Sequence, residues 1–142
     1  MKYTPLLVGF ATLLTGAAQA TDKLEFIEHA KSDATLDLGA PGDSPGDLLT
    51  FANPLFDPLD KAQIGIDQGY CVRVAVGKSW ECSITIIVDG GQIMITGPYN
   101  DKGDSMLAVI GGTGRFAGTK GQMLLHARDA KGSAYDFRFE LQ

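Results

Sequence analysis

The sequence predicts an all-β protein, an antiparallel sandwich or barrel. Three observations carry that expectation. Short apolar runs recur at roughly ten-residue intervals after residue 46, they are rich in branched and aromatic residues, and Gly/Asp/Asn clusters separate several of them. No stretch calls for a long helix.

The first element is not part of that pattern. "MKYTPLLVGFATLLTGAAQA" has one early cation, Lys2, an apolar core over Leu6 to Leu14, and small residues Ala18 and Ala20. That is the form of a secretory signal over residues 1–20, with an apolar core well short of the roughly 20 residues of a spanning helix. The expectation is a mature domain over 21–142, starting at Thr21, secreted or periplasmic and with no membrane anchor. Twelve basic residues stand against 17 acidic ones. Such an excess disfavours nucleic acid and anionic membrane surfaces as partners and leaves small neutral or apolar ligands.

"KLEFIEHA" alternates as a strand with a carboxylate, Glu28, on the same parity as Leu24 and Phe26. "KSDATLDLGAPGDSPGDL" holds Gly39, Gly42, Gly46, Pro41 and Pro45 among polar residues, which suits an irregular and mobile surface connection. Seven strand-like runs follow: "LLTFANPLF", "QGYCVRVAV", "WECSITIIV", "GQIMITGPY", "SMLAVIGG", "GQMLLHARD" and "AYDFRFELQ". "DGG", "NDKGD", "GGTG" and "DAKGS" are turn signals between them.

Cys71 and Cys82 are the only cysteines. In an exported chain an even count favours a bridge without establishing one. A hairpin centred between Val76 and Gly77 would set the two opposite each other on one face.

The glycines of "LAVIGGTGRFAGTKGQMLLH" look like a phosphate cradle. A dinucleotide fingerprint needs a helix directly after its glycines, whereas here Gly121 and a strand-like run follow, so a tight turn is expected. "GKS" at Gly77–Ser79 lacks the upstream glycine of a Walker loop. His29 and His126 have no third ligand at useful spacing, so no metal site is expected.

"GDLLTFANPLFD", "GIDQGYC" and "ITGPYNDKGDSMLAVIGGTGRFAGTKGQMLLH" resemble, in order and spacing, the motif series of the plant allene oxide cyclases and, more distantly, the dirigent proteins. The resemblance covers Gly46 to the C-terminus. It implies an eight-stranded antiparallel β-barrel with a mostly apolar cavity, commonly trimeric, acting without a cofactor on a reactive intermediate. In such cyclases an allene oxide opens to a delocalised cation and an oxyanion, and the cavity directs ring closure.

By the same resemblance, Glu28 matches a cavity glutamate that stabilises the cation, and Asn53 an asparagine that helps to hold a water facing the oxide. Cys71 matches a cavity cysteine. Phe51, Trp80 and Tyr99 fall where aromatic residues shape the substrate. If Cys71 and Trp80 face in, Arg73 shares the inward parity, free to anchor a ligand carboxylate or to pair with an acid. Val72, Val74 and Val76 then face out, and such an apolar strip marks a homo-oligomer interface, of a trimer or dimer.

The chain also departs from the family. Ala30 replaces an asparagine, the connection to "GDLL" lacks a Ser-Pro pair, and Cys82 replaces a small residue, so that a Cys71–Cys82 bridge would narrow the cavity. Two functions are therefore expected as alternatives. One is a cofactor-free isomerase or cyclase moulding a reactive apolar intermediate, fatty-acid-derived or polyketide- or terpenoid-like. The other is a non-catalytic, dirigent-like barrel that binds an apolar ligand.

Overall fold

Period-two alternation of apolar and polar side chains gives each run one face to bury, and the runs bury those faces by closing on one another. A computed structural model describes residues 22–142; the expected leader, and the cut expected before Thr21, fall outside the described residues. The strands are β1 (Asp22–His29), β2 (Ala34–Leu36), β3 (Leu48–Phe56), β4 (Gln63–Ala75), β5 (Ser79–Val88), β6 (Gly91–Asn100), β7 (Ser105–Gly114), β8 (Gly121–Ala127) and β9 (Ala134–Leu141).

From β3 to β9 each strand pairs antiparallel with the next, and β9 pairs with β1. The ring closes where β1 returns to β3, through Ile27 opposite Phe56 and Glu28 opposite Leu55. Eight strands thus form a closed barrel. The ninth, β2, lies along the same edge of β3 beyond the end of β1, with Ala34 opposite Thr50 and Leu36 opposite Leu48.

Inward residues fill the barrel at one end: Ile86, Ile93, Ile95, Met123 and Phe139 are almost wholly excluded from solvent. Each such burial contributes about 1.5–3 kcal/mol. The "GGTG" segment expected as a turn is instead the end of β7, where Gly111–Gly114 pair with β6; the turn to β8 follows over residues 115–118, tucks Phe116 into the core, and no helix follows. Gly114 has φ 59°, and a Cβ there would lie 2.1 Å from the Gly90 carbonyl oxygen, so the turn needs glycine for space as well as conformation.

At the other end the connection before β3 is tied down, contrary to the mobility expected from its composition. Arg73 donates from Nε and Nη2 to the two carboxylate oxygens of Asp43, at 2.6 and 2.8 Å, and from Nη1 to Asp101 at 2.6 Å. The backbone N–H groups of Gly46 and Arg73 bond to the carbonyls of Arg73 and Asp47, and the Asp47 carboxylate accepts from the N–H groups of Leu38 and Ser44. Composition signalled turns correctly; the acids that anchor them to one buried arginine decide the rest.

The outer surface is uneven. Across β4, β6 and β7 it presents Ile66, Tyr70, Val74, Met94, Met106 and Ile110 to solvent. The opposite side, β8, β9 and β1, carries ion pairs such as Arg138–Glu25. Val72 and Val74 lie on the outer face, while Val76 is in the turn beyond the end of β4, past an irregularity in register at Arg73 and Ala75.

Candidate functional site

A cavity of about 50 Å³ lies inside the barrel. Its walls combine Leu49 and Phe51 from β3, the Cys71–Cys82 pair, Ile84, Tyr99 from β6, and Leu125, Tyr135 and Phe137 from β8 and β9. Three carboxyl residues also line it: Glu28, Asp33 and Asp67. Among the described residues, no lysine, arginine or histidine does. Phe51 stands opposite Gly69, where an added Cβ would come within 2.8 Å of the Phe51 ring, so the missing side chain gives that ring its place.

Register brings the carboxyls together. Glu28 sits at the seam, opposite Leu55 on β3 and Tyr135 on β9, while Asn53 and Asp67 face each other across β3 and β4. Asn53 is almost wholly buried and orders the group. Its Oδ1 accepts from the N–H groups of Lys31 and Ser32, both at 2.9 Å, which fixes which end of the amide is oxygen. Its Nδ2 must then point to acids, and it donates to Glu28 at 2.6 Å and to Asp33 at 2.7 Å. The break between β1 and β2 exists to make these contacts, and the Ser32 hydroxyl secures it by accepting from Ala52 N–H and donating to the Ala52 carbonyl.

Burial is the main cause that pushes the Glu28 carboxyl from 4.5 up to about 8, with the Asp67 carboxyl raising it further against the Asn53 hydrogen bond. Asp67 is pushed from 3.8 up to about 7, again mainly by burial. It is wholly buried, and neither of its carboxyl oxygens has a hydrogen-bond partner among the described residues. The Tyr99 and Tyr135 hydroxyls bond each other at 2.9 Å, and burial, together with that bond, holds the Tyr135 phenol well above its usual range. Two protonatable carboxyls in an aromatic-walled space can donate or accept a proton, or face a developing positive charge.

The expected site residues separate into two groups. Glu28, Phe51, Cys71 and Tyr99 line the cavity, and Asn53 bonds directly to Glu28. Trp80 is next to Tyr99 in the ladder, but its ring stacks on the Arg73 guanidinium at 4.3 Å and it is not among the cavity residues. Arg73 is held by acids rather than free for a ligand. Cys71 and Cys82 are directly opposite, with Cα atoms 4.0 Å apart, and are joined as a disulfide, so the cavity wall carries no free thiol. His29 bonds to Asp60 and His126 to Asp104. Asp67, Asp33 and Tyr135 were not singled out from sequence. Parity held the signal for two of them: Asp67 shares its face with Cys71 four residues on, and Tyr135 shares its face with Phe137 and Phe139.

A meander of eight strands closed on itself, with its polar groups gathered on one interior cavity, defines the class of cavity-bearing antiparallel barrels. Within it the chain belongs to the allene oxide cyclase family: residues 21–128 match that family. Solved structures share the fold. A pyocyanin demethylase superposes with a TM-score of 0.76 at 26% identity, over 85% of this chain and 100% of that one. The pterocarpan synthase dirigent protein PsPTS1 gives 0.71 at 15% identity, over 89% and 96%. The Diels–Alderase AbmU from Streptomyces koyangensis gives 0.67 at 17%, over 85% and 68%.

Proposed function

We propose that this protein is a cofactor-free isomerase or cyclase that holds a reactive, largely apolar intermediate in the barrel and directs its ring closure. One observation carries the reading: a buried carboxyl, Glu28, held in place by Asn53 and facing an aromatic-lined cavity. Once ionised, which its raised pKa puts at about pH 8 and above, such a group stabilises positive charge as it develops on a bound intermediate; below that it is a neutral acid able to donate a proton. Asn53 acts through Glu28 as a positioning residue. Phe51, Tyr99 and the Cys71–Cys82 bridge set the shape of the space.

Family membership supports this reading; the relative at 26% identity, named a pyocyanin demethylase, supports chemistry on a small molecule in such a barrel rather than ring closure. The cavity, at about 50 Å³, is smaller than the several hundred Å³ of a drug-sized site, so a long-chain substrate requires the walls to open. One observation favours a non-catalytic, dirigent-like binding barrel instead. Both amide protons of Asn53 are engaged by acids, leaving none to hold a water against an oxide.

Chiral product analysis with an unsaturated fatty-acid allene oxide separates the two. The cyclase reading expects an enantiomeric excess from the unaltered protein and a loss of about a hundredfold in rate, on the order of 3 kcal/mol, in Glu28→Gln. A racemic product from the unaltered protein rejects that substrate, and ligand binding indifferent to Glu28→Gln then supports the binding barrel.

The same proposal covers assembly and location. A second copy of the chain covers the largely apolar outer face that runs from β4 across β5, with its exposed Glu81, to β6 and β7, and the protein is exported after cleavage before Thr21.

A further inference from the structure

We propose that the cavity takes a small cationic ligand, a protonated amine carrying an apolar group, whose positive end meets Asp67 and Glu28 between aromatic walls. This rests on reading the cavity as the ligand site, and adds the charge class of what it holds.

The lining is one-sided in charge. Glu28, Asp33 and Asp67 contribute three carboxyls, with no basic side chain among the described residues to balance them. Arg73, the one cation on the inward parity of β4, is taken by Asp43 and Asp101. Asp67 supplies the independent observation. It is wholly buried and lines the cavity, yet neither oxygen makes a hydrogen bond of normal geometry; only the Asp67 and Asn53 backbone N–H groups approach it closely enough to offset part of the rise caused by burial. Buried polar groups in native proteins are nearly always partnered, and an orphaned carboxyl costs more than an orphaned amide. The neighbouring donors are already engaged: the Asn53 amide bonds Glu28 and Asp33, and the Tyr99 and Tyr135 hydroxyls bond each other. The missing donor is one that a ligand brings. Phe51, Tyr99, Tyr135 and Phe137 present rings around the same space, and ring faces attract cations when water is excluded. A fatty-acid chain entering this cavity must leave its own carboxylate outside.

Entry of a cation is coupled to proton release. The groups facing Asp67 are Glu28 from β1, Asp33 from the β1–β2 connection, Tyr99 from β6 and Tyr135 from β9, with apolar Ile86 opposite on β5. Burial keeps Asp67 and Glu28 protonated up to about pH 7 and 8, so a cation displaces a proton to solvent as it binds. Its affinity therefore rises with pH below that range, by up to about tenfold per unit for each proton released.

The test uses three probes that share a phenyl ring and differ in charge: benzylammonium, benzyl alcohol and benzoate. Each is titrated into the oxidised protein by NMR, at about pH 5.5 and about pH 7.5. The expected result is benzylammonium at least tenfold tighter than benzyl alcohol at the higher pH, with benzoate weakest. Benzylammonium affinity should rise at least tenfold between the two pH values, and benzyl alcohol affinity should not change. Asp67→Asn should lose at least tenfold for benzylammonium alone while keeping a dispersed spectrum; should that variant not fold, the charge and pH series on the unaltered protein decide. Equal affinities, a preference for benzoate, no binding of any probe, or a pH-independent benzylammonium affinity overturns the inference. Cation preference without a chiral product rejects only the allene oxide as the cyclase substrate, and a chiral product without cation preference sinks only this inference.

Discussion

Glu28→Gln should make the protein more stable at alkaline pH, although it alters the proposed reactive group. The folded chain raises the Glu28 carboxyl from 4.5 to about 8. A group raised on folding contributes stability that is fully present below the unfolded value and is lost as pH rises through the folded one. Between about pH 5 and pH 8 the unfolded chain ionises Glu28 freely while the folded chain resists, and at about 1.4 kcal/mol per unit this removes on the order of 3 kcal/mol. Asp67, raised from 3.8 to about 7, acts in the same direction. Glutamine keeps an oxygen for the Asn53 amide and has no proton to lose, so the variant escapes the Glu28 share. Thermal unfolding of both proteins at a series of pH values reads the difference; groups that do not interact with Glu28 cancel, while Asp67, relieved of a neighbouring carboxyl in the variant, adds to the difference in the same direction. The melting temperatures should diverge by roughly 10 °C between about pH 5 and pH 8 for a domain of this length. Parallel curves over that range would refute the reasoning, because they would mean that Glu28 ionises as easily inside the barrel as in water.

The Cys71–Cys82 bridge should give unreduced protein a mass two hydrogens below the reduced form, and replacing both cysteines with serine should cost about 3 kcal/mol in denaturant unfolding. Arg73→Met frees Asp43 and Asp101 from their shared partner, and hydrogen exchange should quicken over residues 38–47 at a stability cost of about 2 kcal/mol; unchanged exchange there would mean that other contacts hold the connection. Met94→Lys, on the exposed, largely apolar face, should lower the mass seen by light scattering to that of one chain with little change in unfolding temperature, and a protein already monomeric before substitution removes the assembly proposal.

Much of the barrel is legible in the sequence because strand alternation and turn residues are local signals. The runs around Cys71, Cys82 and Met123 each announce an inward parity that the structure keeps. The short β2 strand is different: Ala34–Leu36 is exposed throughout and forms only because the chain must pass along the free edge of β3. The site was half legible. Glu28 and Asn53 stand out through resemblance, whereas Asp67 sits in "GIDQGYC" looking like a turn aspartate beside glycines. Its parity with Cys71 marks the inward face, but Gly65 and Gly69 on either side mask the strand on which that parity would be read. Trp80 shows the converse: its parity points inward, but a guanidinium two strand positions from the cavity wall captures the ring.

The seam between β1 and β3 has a consequence for how anything reaches the interior. Only two residue pairs close the barrel there, against eight between β1 and β9 on the other flank of the same strand. Parting those two pairs sacrifices the fewest ladder hydrogen bonds of any opening in the ring. One of them contains Glu28, so the ring's thinnest hydrogen bonding and its buried carboxyl coincide. Fraying at this seam would bring water to Glu28 before it disturbed the apolar end of the barrel.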